Sequence, residues 1–204
     1  MRLIAVTQRV DRFPSYGEQR DALDESWTRF LIACECVPVP VPNHLEAAKM
    51  LLENIQIDGI LLTGGNSLVR YGGDAPQRDE TERYLIGYAM EKDIPLVGIC
   101  RGMQVIQDYF GVALNKVEEH VAVRHEVLLE GEWVMKNSYH TYAACTSTEE
   151  LAVVAKAADG AIEGVRHRKH RIYAMMWHPE RNNPFEKKDM EFFKKVFGKK
   201  EKKE

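Results

Sequence analysis

Apolar positions follow two rhythms along this chain, one in each half. Leu3-Ile4-Ala5-Val6 is a short continuous apolar run, which predicts a buried strand over 2–7. Across 17–33, Leu23, Trp27, Phe30 and Leu31 recur at spacings of one and two turns, which predicts a helix. Val37 to Val41 is extended, and its prolines suit a sheet edge. A helix over 44–54, a buried strand over 58–63 ending in Thr63-Gly64-Gly65, a helix over 79–92 and a strand over 95–99 follow, then a helix over 103–109. This β-α-β-α-β order predicts a doubly wound, mainly parallel sheet with helices on both faces. Beyond residue 112 the rhythm becomes that of meandering strands, at 113–118, 124–135, 151–157, 161–166 and 171–177. A closing amphipathic helix over 185–197 uses Met190, Phe193, Val196 and Phe197. The span 1–204 reads as one α/β domain, with no repeat or linker, and the Lys-rich run after Gly198 as a solvated, frayed end.

Composition narrows the function classes. A chain of 204 residues with 45% hydrophobic content can build a full core. A net charge of -3, with no basic patch interleaved with aromatics, argues against a nucleic-acid partner. No apolar run approaches the roughly 18 residues that span a bilayer, and Met1 to Thr7 reads as a strand and not as a signal peptide. Cys34, Cys36, Cys100 and Cys145 have neither disulfide-framework nor zinc-like spacing, which points to a reducing cytoplasm. No metal-ligand spacing, P-loop or dinucleotide fingerprint occurs, so neither metal nor cofactor is expected.

The candidate chemistry starts at Gly98-Ile99-Cys100-Arg101-Gly102-Met103-Gln104. It has the glycine-x-nucleophile-x-glycine form of a nucleophile elbow, with cysteine as nucleophile. The flanking glycines keep the strained turn free of side chains, and the helix start favours a thiolate. A cysteine nucleophile needs an imidazole. His178 ends the last strand, and in extended chain Glu180 points the same way and can orient it. Strand ends are where open α/β sheets place their sites. An oxyanion needs donors, and the N–H of Arg101 and the Gly64-Gly65 turn are the best choices. Of the other histidines, His44 looks like a helix start. His167 and His170 belong to a basic turn, most simply solvated and alternatively phosphate-binding, while His120 and His125 are expected at the surface.

Taken together, Thr63-Gly64-Gly65, Tyr71-Gly72, Arg78-Asp79-x-x-Glu82, the elbow and Trp177-His178-Pro179-Glu180 resemble class I glutamine amidotransferase domains, in particular their stand-alone γ-glutamyl hydrolase branch. The resemblance implies a flavodoxin-like sheet, a Cys100-His178-Glu180 triad and an oxyanion hole from Gly65 and Arg101. It also implies that Gln104 and the backbone of the segment Asn137-Ser138-Tyr139, with His140 beside it, meet a small γ-glutamyl substrate. Thr7-Gln8-Arg9, Ser15-Tyr16-x-Glu18-x-Arg20, Leu23-Asp24 and Trp27 are similar to bacterial γ-glutamyl-CDP-amidate hydrolases, which serve phosphoramidate modification of surface polysaccharide. That likeness makes Arg9 and Arg20, with Arg12, Arg70 and Arg78, candidates to meet a pyrophosphate, although each can equally pair with a carboxylate. The alternatives are a hydrolase of another γ-glutamyl amine such as γ-glutamyl-aminobutyrate, a glutaminase subunit feeding ammonia to a separate synthetase, and a non-catalytic binding module. The chain contains no synthetase domain, which favours the hydrolase, and the sequence sets no oligomeric state.

Overall fold

The computed structural model describes residues 1–198, so the predicted frayed end after Gly198 lies outside the described residues. In chain order the elements are β1 (Arg2–Val6), β2 (Arg9–Phe13), β3 (Glu18–Ala22), α1 (Glu25–Ala33), β4 (Cys36–Pro40), α2 (Leu45–Asn54) and β5 (Gly59–Leu62). Then come α3 (Pro76–Lys92), β6 (Leu96–Ile99), α4 (Arg101–Tyr109), β7 (Asn115–Lys116), β8 (Val121–Leu129) and β9 (Glu132–Tyr139). The chain continues through β10 (Tyr142–Ala143), β11 (Leu151–Ala157), β12 (Ile162–His167), β13 (Ile172–Met175) and α5 (Lys187–Phe197).

The main sheet runs β4-β1-β5-β6-β13-β12-β11-β8-β9. The first five strands are parallel neighbours, in the flavodoxin-like doubly wound order. The last four extend the sheet antiparallel. Alternation along each strand feeds two cores. Ala5, Ile60, Leu62 and Leu96 join residues of α2, α3 and α4 on one face. Ile4, Val6, Leu61, Val97 and Ile99 meet Trp27, Phe30 and Leu31 of α1 and Phe193, Val196 and Phe197 of α5 on the other. Both faces of the parallel half are therefore covered, as its unbroken apolar strands require.

The expected strand over 113–118 shrinks to β7, which pairs with β10 apart from the main sheet, and two larger elements also differ from expectation. The predicted helix over 17–33 is half hairpin: β2 and β3 pair antiparallel, with Asp11 opposite Arg20, and the helix starts only at Glu25. The Asp24 side chain accepts from Ser26 N at 2.9 Å and so fixes that start. Glu18 to Asp21 suit a helix by propensity, but Pro14 and a left-handed Gly17 turn the chain back on itself, and side-chain contacts hold it there. The predicted single strand over 124–135 breaks at Glu130-Gly131 into β8 and β9, both residues having positive φ. His44 opens α2 as expected, its Nδ1 accepting from Ala47 N.

The elbow glycines are set by close approach. A Cβ on Gly98 would lie 2.6 Å from the Gly102 carbonyl oxygen, and one on Gly102 would overlap the Leu62 carbonyl. Gly102→Ala is expected to destabilise beyond the roughly 1–3 kcal/mol of ordinary core overpacking. Gly131→Ala, in open space with φ 90°, should cost only the about 1–2 kcal/mol of a left-handed alanine. Urea unfolding of both variants checks this, and an equal or smaller loss for Gly102→Ala would contradict the packing of the elbow.

Candidate active site

Cys100 joins β6 to α4 with φ 52° and ψ -106°, a conformation non-glycine residues rarely adopt. Its N–H donates to Met175 O at 2.8 Å, and its carbonyl accepts from Gln104 N at 3.0 Å, so strand pairing and helix together hold the strain. The side chain sits at the α4 N-terminus, where the backbone N–H groups, Arg101 among them, lack intrahelical partners.

His178 follows β13. Its Nδ1–H donates to Glu180 Oε1 at 2.6 Å, both side chains being buried, and the carboxylate fixes that tautomer. The other ring nitrogen, Nε2, has no hydrogen-bond partner among the described residues. A Cβ built on Gly64 would lie 2.7 Å from His178 Cε1, 3.4 Å from Nε2 and 3.6 Å from Cys100 Cβ, so imidazole, thiol and glycine turn share one corner. Burial by itself pushes the His178 imidazole down, but the Cys100 charge and Glu180 outweigh it and hold the ring at about 9. Asn137 clamps the His178 backbone from both sides, Oδ1 accepting from His178 N at 2.7 Å and Nδ2 donating to His178 O at 2.8 Å.

The Thr63-Gly64-Gly65 turn is held by Arg78, whose guanidinium donates to the carbonyls of Thr63 (2.8 Å), Gly64 (3.0 Å) and Gly65 (2.5 Å). In a trans peptide the N–H points opposite to the carbonyl, so the Gly65 N–H is directed away from Arg78. Arg78 Nε donates to Glu82 Oε1 at 2.9 Å, while Glu82 Oε2 accepts from Arg101, which also pairs with Asp79. Arg78, Glu82 and Arg101 are all buried. Burial alone raises the Glu82 carboxyl, and the two guanidiniums overcome it and bring it below its ordinary value.

The family described as "Glutamine amidotransferase class-I" matches residues 20–197. The chain belongs to the class-I glutamine amidotransferase family. Gamma-glutamyl-CDP-amidate hydrolase of Campylobacter jejuni is 33% identical over 187 residues, covering 88% of this chain and 90% of that protein. Gamma-glutamyl-gamma-aminobutyrate hydrolase of Escherichia coli O157:H7 is 30% identical over 210 residues, covering 82% of each. A putative GMP synthase component from Thermoplasma acidophilum shares the fold, with a TM-score of 0.74 at 19% identity over 97% of this chain and 93% of that one.

Within this class-I glutamine amidotransferase fold, the other candidate residues divide. Gln104 lies in α4, its Nε2 donating to Tyr142 O at 2.9 Å. Tyr139 packs edge-on against His178, ring centroids 5.4 Å apart. Asn137 spends its side chain on the His178 backbone, and Ser138 Oγ donates to His120 O at 2.7 Å, so neither side chain is free for a ligand. Arg9 packs over Gly65: a Cβ there would lie 3.1 Å from Arg9 Cβ. Its guanidinium pairs with Asp11, as that of Arg20 does with Glu18. Arg12 pairs with Asp74 and Arg70 with Asp108. Arg78, with no exposed surface, is excluded from meeting a pyrophosphate. His167 is buried, its Nδ1 accepting from Lys169 N and His170 N, so it holds the basic turn together. His120 and His125 are not surface residues: His120 is buried and His125 partly so, packed with His140 around Glu163. Sequence reasoning also missed Asn66, whose side chain accepts from Val10 N and donates to Val10 O, tying the β2–β3 hairpin to the glycine turn. Its only sequence signal was its place just after Thr63-Gly64-Gly65.

The raised His178 value has a definite sign. The folded group titrates above its unfolded value of about 6.5, so its stabilising effect is complete below about pH 6.5 and lost as pH rises through about 9. NMR titration of the His178 ring should give an apparent value near 9, and Glu180→Gln should lower it. A ring titrating below 6.5 in the native protein would contradict this arrangement.

Proposed function

We propose that the protein is a cysteine hydrolase of γ-glutamyl amides, with a γ-glutamyl-CDP-amidate as its substrate. The observation that carries this is the buried corner in which strained Cys100 meets a His178 already oriented by Glu180. Cys100 gives its proton to His178 Nε2 and the resulting thiolate attacks the γ-carbonyl carbon, while the oxyanion is received by the N–H groups of Gly65 and Arg101. His178 Nε2 then gives its proton to the departing nitrogen, the C–N bond breaks, and a glutamyl thioester remains on Cys100. Water attacks the thioester, His178 takes its proton, and glutamate leaves with the thiolate restored. Gln104 and the backbone of Asn137-Ser138-Tyr139, with His140 buried behind, would hold the glutamyl group. Free Cys34, Cys36, Cys100 and Cys145 suit a reducing cytoplasm.

Two relatives covering more than four-fifths of the chain are named as hydrolases of γ-glutamyl compounds, which supports the acyl half of the substrate. The leaving group is a matter for the β2–β3 hairpin. It lies over the glycine turn through Arg9 and Asn66, and the Arg9 and Arg20 side chains stay half-exposed, paired with carboxylates of their own hairpin. A diphosphate can take over those guanidiniums through charge-assisted contacts. The product would be the free nucleotide amidate, the material for phosphoramidate modification of surface polysaccharide.

Comparing kcat/KM for glutamine, γ-glutamyl-aminobutyrate and γ-glutamyl cytidine amidate tests the assignment. The cytidine compound should be strongly preferred, and Arg9→Ala and Arg20→Ala should each lower that preference by about 10-fold or more, as expected for one charge-assisted contact. Equal rates on all three, or preference for the aminobutyrate compound, would overturn the nucleotide substrate and leave a general γ-glutamyl hydrolase. Preference for glutamine would favour a glutaminase. No turnover of any γ-glutamyl amide would overturn the hydrolase itself.

A further inference from the structure

Four side chains that the proposed reaction does not use as acid, base or nucleophile converge where the β8–β9 hairpin meets β12. His120 precedes β8, His125 lies in it, His140 follows β9, and Glu163 stands in β12. His120 Nδ1 is 3.3 Å from His140 Nε2 and 3.4 Å from Glu163 Oε1, and His140 Nε2 is 3.1 Å from the same oxygen. His125 Nε2 stands 3.7 Å from Glu163 Oε2. Glu163 has no exposed surface, while His120 and His140 are buried to within a few per cent.

We propose that His120, His125, His140 and Glu163 form a binding site for one divalent transition-metal ion of the zinc class. Three observations carry it independently of the hydrolase assignment. First, the triangle of 3.1, 3.3 and 3.4 Å matches one face of a tetrahedron around an ion with bonds of about 2.0–2.1 Å, whose edges are about 3.3 Å. Second, the outer nitrogen of His120, Nε2, lies 2.9 Å from Asp159 Oδ2. That carboxylate accepts a hydrogen bond from Nε2–H and leaves the Nδ1 lone pair directed into the cluster, the arrangement that orients metal-bound imidazoles. Third, the cluster is unsatisfied without an ion. Glu163 Oε2 and His125 Nε2 are buried with no hydrogen-bond partner among the described residues, and 3.7 Å is too far for a bond between them. A cation among His120, His125 and Glu163, whose donor atoms lie within 4.8 Å of one another, would satisfy both.

Three imidazoles and one carboxylate select a borderline-soft ion over calcium or magnesium, which prefer all-oxygen cages. The His125 side chain, 17% exposed, offers a way in. Ligands drawn wholly from side chains buried this deeply make the site structural. It lies behind the active site: Glu163 O accepts from Met176 N at 2.8 Å, two residues before His178, and His120 O accepts from Ser138, next to Asn137. An ion here would pin the hairpin that clamps His178.

The test uses the full chain carrying Cys100→Ala, which removes that thiol as a competing zinc ligand. After chelator treatment and desalting, the protein is titrated with Zn²⁺ by calorimetry, its metal content measured after gel filtration, and Co²⁺ used as an absorption probe. One ion per chain, a higher melting temperature with zinc and cobalt bands free of thiolate charge transfer are expected. Asp159→Asn, at a half-exposed position, should weaken binding about 10–100-fold without lowering the melting temperature of the metal-free protein, and His125→Ala should weaken it further. No stoichiometric uptake, undiminished affinity in either variant, or a thiolate band would overturn the site.

Discussion

Glu82 joins two parts of the candidate active site that the sequence keeps well apart. One carboxylate oxygen takes Arg78, which gathers the three carbonyls of the Thr63-Gly64-Gly65 turn, and the other takes Arg101, the residue after the cysteine. Two guanidiniums and a carboxylate are thereby removed from water, which is tolerable only with all of them hydrogen-bonded to one another or to backbone. Losing one partner of such a buried cluster typically costs about 3–5 kcal/mol, because the remaining charge has nowhere to go. The cluster therefore fixes the glycine turn against the elbow, and any pair of oxyanion donors drawn from Gly65 and Arg101 depends on that spacing.

A second clamp works from the opposite side of the sheet order. β13 delivers His178 beside Cys100, but strand pairing ends at Met175, three residues too early to hold the imidazole. Asn137 supplies the missing backbone partners, and Glu180 supplies the ring's. Since Asn137 belongs to β9, the antiparallel extension of the sheet serves the histidine end of the site, as the parallel half serves the cysteine end. The His120–Glu163 cluster lies along the same route and ties the hairpin to β12.

The parallel half and the elbow were readable in the sequence because each depends on local pattern: apolar runs for β5 and β6, and glycines on either side of Cys100 where neighbours approach too closely for a side chain. His178 and Glu180 were readable for the same reason, being two residues apart on extended chain. What escaped depends on contacts distant along the chain. The β2–β3 hairpin is built of helix-compatible residues and held by Asn66, Asn43 and their backbone partners, with Asn43 donating to Asp21 from 22 positions away. His120 and His125 looked like surface residues in a polar strand, and only the fold shows that they face Glu163 on a third strand. Asn137 was expected at the site through its backbone, and only the fold shows that its side chain clamps the His178 backbone.

The central claim is that Cys100 is the nucleophile, and its thiol competes with three others in the same chain. Burial pushes Cys34 up to about 12 and Cys36 to about 11, leaving both poor nucleophiles, and Cys145 is exposed but lies outside the elbow. Reaction with a γ-glutamyl electrophile, followed by intact-mass measurement and peptide mapping, separates them directly. A single adduct on Cys100, formed in step with loss of hydrolysis and much more slowly after His178→Ala, is the result expected. An adduct confined to Cys145, or hydrolysis that survives full modification of Cys100, would contradict it.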